Sequence, residues 1–203
     1  MQSMSRTSFL AVNYPNLQGL KQIPLGLALL LVTLWANGQN LAHSLYLPLL
    51  FMVGSFALLI PIYRYYDHLF GRVTRRLTSV GLEIAAGGIC ALLVSAAFWM
   101  EITFKLPFSP LGLAMTIFLL FVSLRMWRRL SRVFVTGLCS SALMAIVSIL
   151  PVLGIPNWWS AVGMKNHILG VTLVYSLIMI VSGILSHIYF AYSLSSAPEA
   201  VNE

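Results

Sequence analysis

The chain has 203 residues, 59% of them hydrophobic and only 8% charged, with a formal net charge of +7 at pH 7. A soluble domain carries about a quarter charged residues, because its surface must be solvated, so this composition excludes an ordinary soluble globular protein. The apolar runs are each near the roughly 20 residues that cross about 30 Å of hydrocarbon, and they are continuous rather than alternating, which argues against strand spans. The expectation is an all-α, polytopic integral membrane protein of about six transmembrane helices with both termini cytoplasmic.

In chain order, residues 1–22 are expected to form a cytoplasmic N-terminal segment. The first span runs from Ile23 to Trp35 and is opened by Pro24. "LALLLVTLWANGQ" also fits the apolar region of a signal peptide, with Ala36 and Gly38 ahead of a cut. The long segment before it, containing Pro15 and little charge, favours retention as a span. The second span, Leu45 to Tyr63, leads into "PIYRYYDHLFGRVTRR". On a helix of about 100° per residue, Tyr63, Tyr66, Phe70, Val73 and Leu77 share one face, while Arg64, His68, Arg72, Arg75 and Arg76 gather opposite. This pattern predicts a basic interfacial helix over 63–77, aromatics at the acyl boundary and arginines toward phosphate. Asp67 stands three residues after Arg64, the spacing of a helical ion pair.

The third span is Ser79 to Trp99. The fourth begins at "SPLGLAM", where Ser109 is placed to cap and Pro110 takes the first helical position, and it ends at Trp127. A second basic group follows in "LRMWRRLSRVF", with Arg125, Arg128, Arg129 and Arg132 spaced as one stripe. The fifth span is Val133 to Leu153 and the sixth runs from Ile168 to about Tyr192. Residues 23–192 then form one bundle, and 193–203 a cytoplasmic tail. Small residues recur every four positions at Gly87, Ala91 and Ser95 and again at Gly137, Ser141 and Ala145, which predicts a tight pairing of the third and fifth spans.

Basic residues orient the bundle. Arg6, Lys21, Arg64, Arg72, Arg75, Arg76, Arg125, Arg128, Arg129 and Arg132 fall on one side of a six-span arrangement, and only Lys105 and Lys165 on the other. Such asymmetry marks the cytoplasmic face and suits a plasma (inner) membrane. It accounts for the positive charge without nucleic acid. It also makes membrane lipids of an anionic leaflet the expected partners, with a partner membrane or cytoplasmic subunit as the second expectation.

Ionisable groups inside spans are the best functional pointers. Glu83 in "SVGLEIAAGG" is the foremost: it must pair with a cytoplasmic arginine or serve as a proton- or cation-coupling carboxylate. On the opposite side, "NGQNLAHS" and "GIPNWWSAVGMKNH" bring His43, Trp158, Trp159, Asn166 and His167 into a candidate outer vestibule, although tandem tryptophans also suit the aromatic belt of a bilayer. The histidines pair by depth, His43 with His167 and His68 with His187. Bis-imidazole heme ligation uses such pairs, but His43 in a loop and His68 on a basic face are poorly placed for it. No cofactor is therefore expected. Cys90 and Cys139 lie apart in apolar runs, so no metal cluster or redox pair is implied.

Phosphate-cradling glycine loops, HExxH and GxSxG are absent, and five acidic residues leave little for general acid–base chemistry, so an enzyme is not expected. Two functions remain. The first is a transporter or permease subunit for a small solute. In size, span number and both-ends-in topology the chain resembles the substrate-binding components of energy-coupling-factor vitamin transporters. "IPLGLALLLVTLWA" lacks the alanine-spaced motif those present to their coupling subunit, so the likeness is one of architecture. The second function is a non-catalytic accessory membrane protein that uses its basic cytoplasmic face to bind a partner or anionic lipid.

Overall fold

The computed structural model describes residues 19–38, 46–104, 106–127 and 131–195 apart from 71–76, and within the helices it describes side chains outside 69–70, 77–84, 86–87, 125–127, 131–134 and 193–195. Every regular element among these residues is helical. A 3₁₀ turn, Gly19–Lys21, leads into α1 (Gln22–Gly38). Then come α2 (Tyr46–Phe70), α3 (Leu77–Thr103), α4 (Pro110–Trp127), α5 (Ser131–Ile149), the one-turn α6 (Trp158–Ala161) and α7 (His167–Ser195). Three stretches are long and apolar enough to cross a membrane: Gly19–Gly38, Tyr46–His68 and His167–Tyr192. Three shorter apolar stretches, Gly88–Thr103, Pro110–Leu124 and Val135–Ile149, accompany them.

The most extensive pairings are α4 with α5 and α1 with α7. α3 lies on α4, α2 lies on α1, and α7 meets α5 and α4. The bundle is therefore two groups, α2–α1–α7 and α3–α4–α5, joined along α7. Glycines explain the α1–α7 approach. A Cβ on Gly26 would stand 2.8 Å from Ile180 Cγ1 and 3.1 Å from the Ser176 carbonyl oxygen, and one on Gly19 would strike the Gly183 carbonyl. Polar side chains then zip the pair together. The Ser182 hydroxyl donates to Gln22 Oε1 at 3.1 Å, and the Thr33 and Thr172 hydroxyls meet at 3.3 Å. Asn37 clamps the loop before α7, donating to the Gly163 carbonyl and accepting from the Lys165 N–H, each at 2.8 Å.

The pairing expected between the third and fifth spans is replaced by these contacts. Ala91 and Ser95 face outward on α3. Gly137 and the buried Ser141 of α5 turn toward α4, where a Cβ on Gly137 would strike Ser123 Oγ. Only three residues separate α4 from α5, and so short a link makes the two helices antiparallel neighbours before any stripe on α3 is considered.

The separate interfacial helix expected over 63–77 is described only to Phe70, and as far as that it is the continuation of α2 through Pro61. Tyr66, expected at the acyl boundary, is fully buried against the bundle. Its hydroxyl lies 3.2 Å from His187 Nδ1 and accepts from the Leu20 N–H at 3.4 Å, and its ring packs 6.1 Å from that of Phe190. Tyr63 instead offers its ring to Lys21, whose Nζ sits 3.5 Å from the ring centroid.

Candidate functional site

The α3–α4 turn places a carboxyl group at a helix start. Ser109 caps α4 as its sequence leads one to expect: its hydroxyl oxygen accepts the Gly112 N–H at 3.0 Å, with Pro110 as the first helical residue. A helix start leaves four N–H groups without partners. Glu101, near the end of α3, satisfies another of them. Its Oε2 accepts the Leu111 N–H at 3.0 Å and the Ser109 hydroxyl at 2.6 Å. A carboxyl group here also meets the positive end of the α4 dipole. The turn is fastened to α5 by the Ser109 N–H donating to the Ser148 carbonyl at 2.9 Å. Gly112 is required at this join, because a Cβ there would strike Ser148 Oγ.

The other oxygen of Glu101 faces α7. His167 Nδ1 lies 3.4 Å from Oε1, an ion pair whenever the imidazole is protonated, and the Glu101 side chain is only 7% exposed. The imidazole is flanked by indoles, with ring centroids 5.0 Å from Trp159 and 5.8 Å from Trp158. Yet Glu101 Oε1, His167 Nε2 and Trp158 Nε1 are all buried and hydrogen-bonded to no protein atom among the described residues. Buried polar atoms are nearly always partnered. An acceptor, an indole donor and an imidazole nitrogen on neighbouring residues are thus left without protein partners among the described residues.

α7 is anchored here by its own start. Asn166 Oδ1 accepts the Leu169 N–H at 2.9 Å. Gly170 permits the approach of α6, since a Cβ there would stand 2.9 Å from both Trp158 Cη2 and Trp159 Cβ. Trp158 belongs to the core with Leu111, Met115, Met144, Val147, Val171 and Ile178.

Of the residues marked out by sequence, Trp158, Trp159 and His167 are brought together at this site, and Asn166 contributes as the cap of α7. His43 lies outside the described residues. Glu83 lies in α3, but its side chain is outside the described set, as are those of Arg125 and Arg132. Arg72, Arg75, Arg76, Arg128 and Arg129 also lie outside the described residues, whereas Arg64 is exposed on α2. His187 is held by Tyr66 at the opposite end of α7, and His68 is exposed. Among the described residues, no group of three or more histidine, cysteine or acidic side chains is placed to hold a metal ion.

Glu101 and Ser109 were not among the sequence candidates for function. The available signal was an acidic residue closing an apolar run, "FWMEITF", eight positions before a Ser-Pro helix start. Comparison with family models, with curated proteins and with solved structures finds no match.

Proposed function

We propose that this protein is a small-solute permease subunit whose solute- or proton-coupling site is the Glu101–His167 pair. The observation that carries the reading is the divided role of one buried carboxyl group. Its Oε2 is committed to the start of α4, while Oε1 faces His167 with no hydrogen bond among the described residues. A group needed only as a cap has no reason to present a second oxygen to a titratable ring in a buried, indole-lined place. Ionisable groups at such depth are costly and are kept for ion or substrate pathways.

The reading includes six membrane crossings, cytoplasmic termini and residence in the plasma (inner) membrane, with the Glu101 site toward the extracytoplasmic side. The basic asymmetry of the loops supports that orientation. The word subunit rests on α2, of whose apolar span only 6% is buried, against 28% for the spans of α1 and α7. A helix with so much of its apolar span exposed suits contact with a partner membrane protein. The same surface serves the second reading, a non-transporting accessory protein that binds through its exposed helix and basic face.

Native mass spectrometry on gently extracted protein separates the two. Retention of a small polar solute by the wild type, lost in Glu101→Gln, is the expected result. The amide oxygen of glutamine still accepts the Leu111 N–H, so the α4 cap survives while the charge does not. A wild type that carries only lipid, or a Glu101→Gln protein that retains the same solute equally, would sink the permease reading.

A further inference from the structure

The carboxyl group of Glu101 is asymmetric in a way that decides how it can lose its charge. Oε2 accepts two hydrogen bonds, from the Leu111 N–H at 3.0 Å and the Ser109 hydroxyl at 2.6 Å. A proton arriving on that oxygen would have to displace one of these donors. Oε1 is buried, has no hydrogen bond among the described residues and lies 3.4 Å from His167 Nδ1. A protonated carboxyl group carries one O–H and keeps acceptor capacity on its other oxygen. A proton on Oε1 therefore neutralises Glu101 while Oε2 goes on accepting from both donors. The start of α4 stays capped in either charge state.

The elements around Glu101 leave one group to exchange that proton. The last turns of α3 and α5 carry no basic residue, the first turns of α4 and α7 carry no acidic one, and α6 carries neither. Lys165, two residues before His167, is exposed, and Lys105 lies outside the described residues. Among the described residues, His167 is the titratable side chain that faces Oε1. An imidazole takes up and gives away a proton at a ring nitrogen. Transfer from protonated Nδ1 to Oε1 turns an imidazolium and a carboxylate into a neutral imidazole and a neutral acid, with one proton moved. Proton-transfer contacts span about 2.6–3.2 Å and are often longer before a substrate binds, so 3.4 Å calls for only a small approach. A metal cation such as magnesium or calcium fits less well, because it takes about six or more oxygen ligands and Glu101 has a single oxygen uncommitted.

We propose that Oε1 of Glu101 is a proton-loading position, exchanging with His167 Nδ1, and that solute retention is coupled to the proton it carries. The coupling rests on the permease reading and names its ion; the position of the proton does not depend on that reading. Dividing the carboxyl group between a cap and a proton lets the charge cycle without releasing the helix that the same residue holds.

The test follows the full chain in detergent through a pH titration, by infrared difference spectroscopy and by amide hydrogen exchange. Acidification should bring up the absorption of a protonated carboxyl group that Glu101→Gln lacks. Exchange at Leu111 and Gly112, corrected for the intrinsic effect of pH, should stay at its starting level as that absorption grows. A rise at Leu111 of about tenfold or more, the loss of one hydrogen bond, would put the proton on Oε2 and overturn the proposal. So would the absence of a Glu101 acid absorption at every pH where the protein stays folded. Native mass spectrometry at a pH on each side of the midpoint reads the coupling, and the solute retained by the wild type should differ between the two. Equal retention at both, still lost in Glu101→Gln, would remove the coupling and leave the permease reading standing. No solute at either pH would sink the permease reading and the coupling with it, while the infrared and exchange results would still decide where the proton sits.

Discussion

The two ends of α7 each hold a histidine against another helix, and they resolve the same problem differently. At one end His187 meets the Tyr66 hydroxyl, which also accepts the Leu20 N–H. The hydroxyl has a partner on each side, and the buried Tyr66 ring is packed against aromatic neighbours. At the other end His167 meets Glu101, and three buried polar atoms there have no hydrogen bond among the described residues. The first is a closed polar circuit that fastens the 3₁₀ turn and α2 to α7. The second is an open one among the described residues, and the proposed function takes that openness as the mark of a site rather than a fastener.

The comparison breaks hardest at Glu101. Glu101→Leu leaves the Leu111 N–H and the Ser109 hydroxyl without their acceptor, and the expected loss is about 3 kcal/mol of stability. Unfolding of the purified protein by denaturant measures it. Glu101→Gln should lose under about 1.5 kcal/mol, because the cap survives. If the two variants were equally destabilised, the carboxyl group would be a structural ion-pair partner and the open end would become a fastener too.

A change on α1, where it crosses the middle of α7, sharpens the contrast by loosening both ends together. Gly26 is enclosed by Ile180, Met179 and the Ser176 carbonyl, so Gly26→Leu forces α1 away from α7. Overpacking of this kind costs about 1–3 kcal/mol. The thermal midpoint in detergent should fall, and solute retention and the Tyr66 contact should weaken in step. An unchanged midpoint would mean that α1 and α7 are not held as closely as the glycine contacts require.

How much of this could be read in advance depends on whether the decisive contact was local. The Ser109–Pro110 start of α4 was readable because a cap and its N–H lie within three residues. The apolar helices themselves were readable from their runs, though the second continues to Phe70 where a span ending at Tyr63 was expected, and the fifth ends at Ile149 rather than Leu153. Glu101 was not singled out, because its importance depends on a chain reversal that returns Ser109 and Leu111 to it and on α7 arriving from far along the sequence. Gly26 and Gly183 were missed for a similar reason. The four-residue stripes on α3 and α5 are stronger local patterns, yet Ala91 and Ser95 face outward while a single glycine on each of two distant helices makes the close crossing. The aromatic periodicity around Tyr66 is present, but the side chain turns inward because α7 and the 3₁₀ turn supply partners that a helix lying in the headgroup layer would lack.

The smallest effect is expected at the closed end, and it is the control for the whole contrast. Tyr66→Phe removes one hydroxyl and keeps the ring, so packing against Phe190 and Tyr65 is retained. The Leu20 N–H and His187 Nδ1 each lose a partner, but His187 is only half-buried and water can reach it. The net cost should therefore be near the worth of one hydrogen bond, about 1 kcal/mol. Hydrogen exchange should show it locally, with faster exchange in the Gly19–Lys21 turn and little change at the start of α4. Solute retention should stay at the wild-type level, since nothing at the Glu101 end has moved. Were Tyr66→Phe to abolish retention as completely as Glu101→Gln, the two ends would be parts of one device along α7, and the distinction between fastener and site would fail.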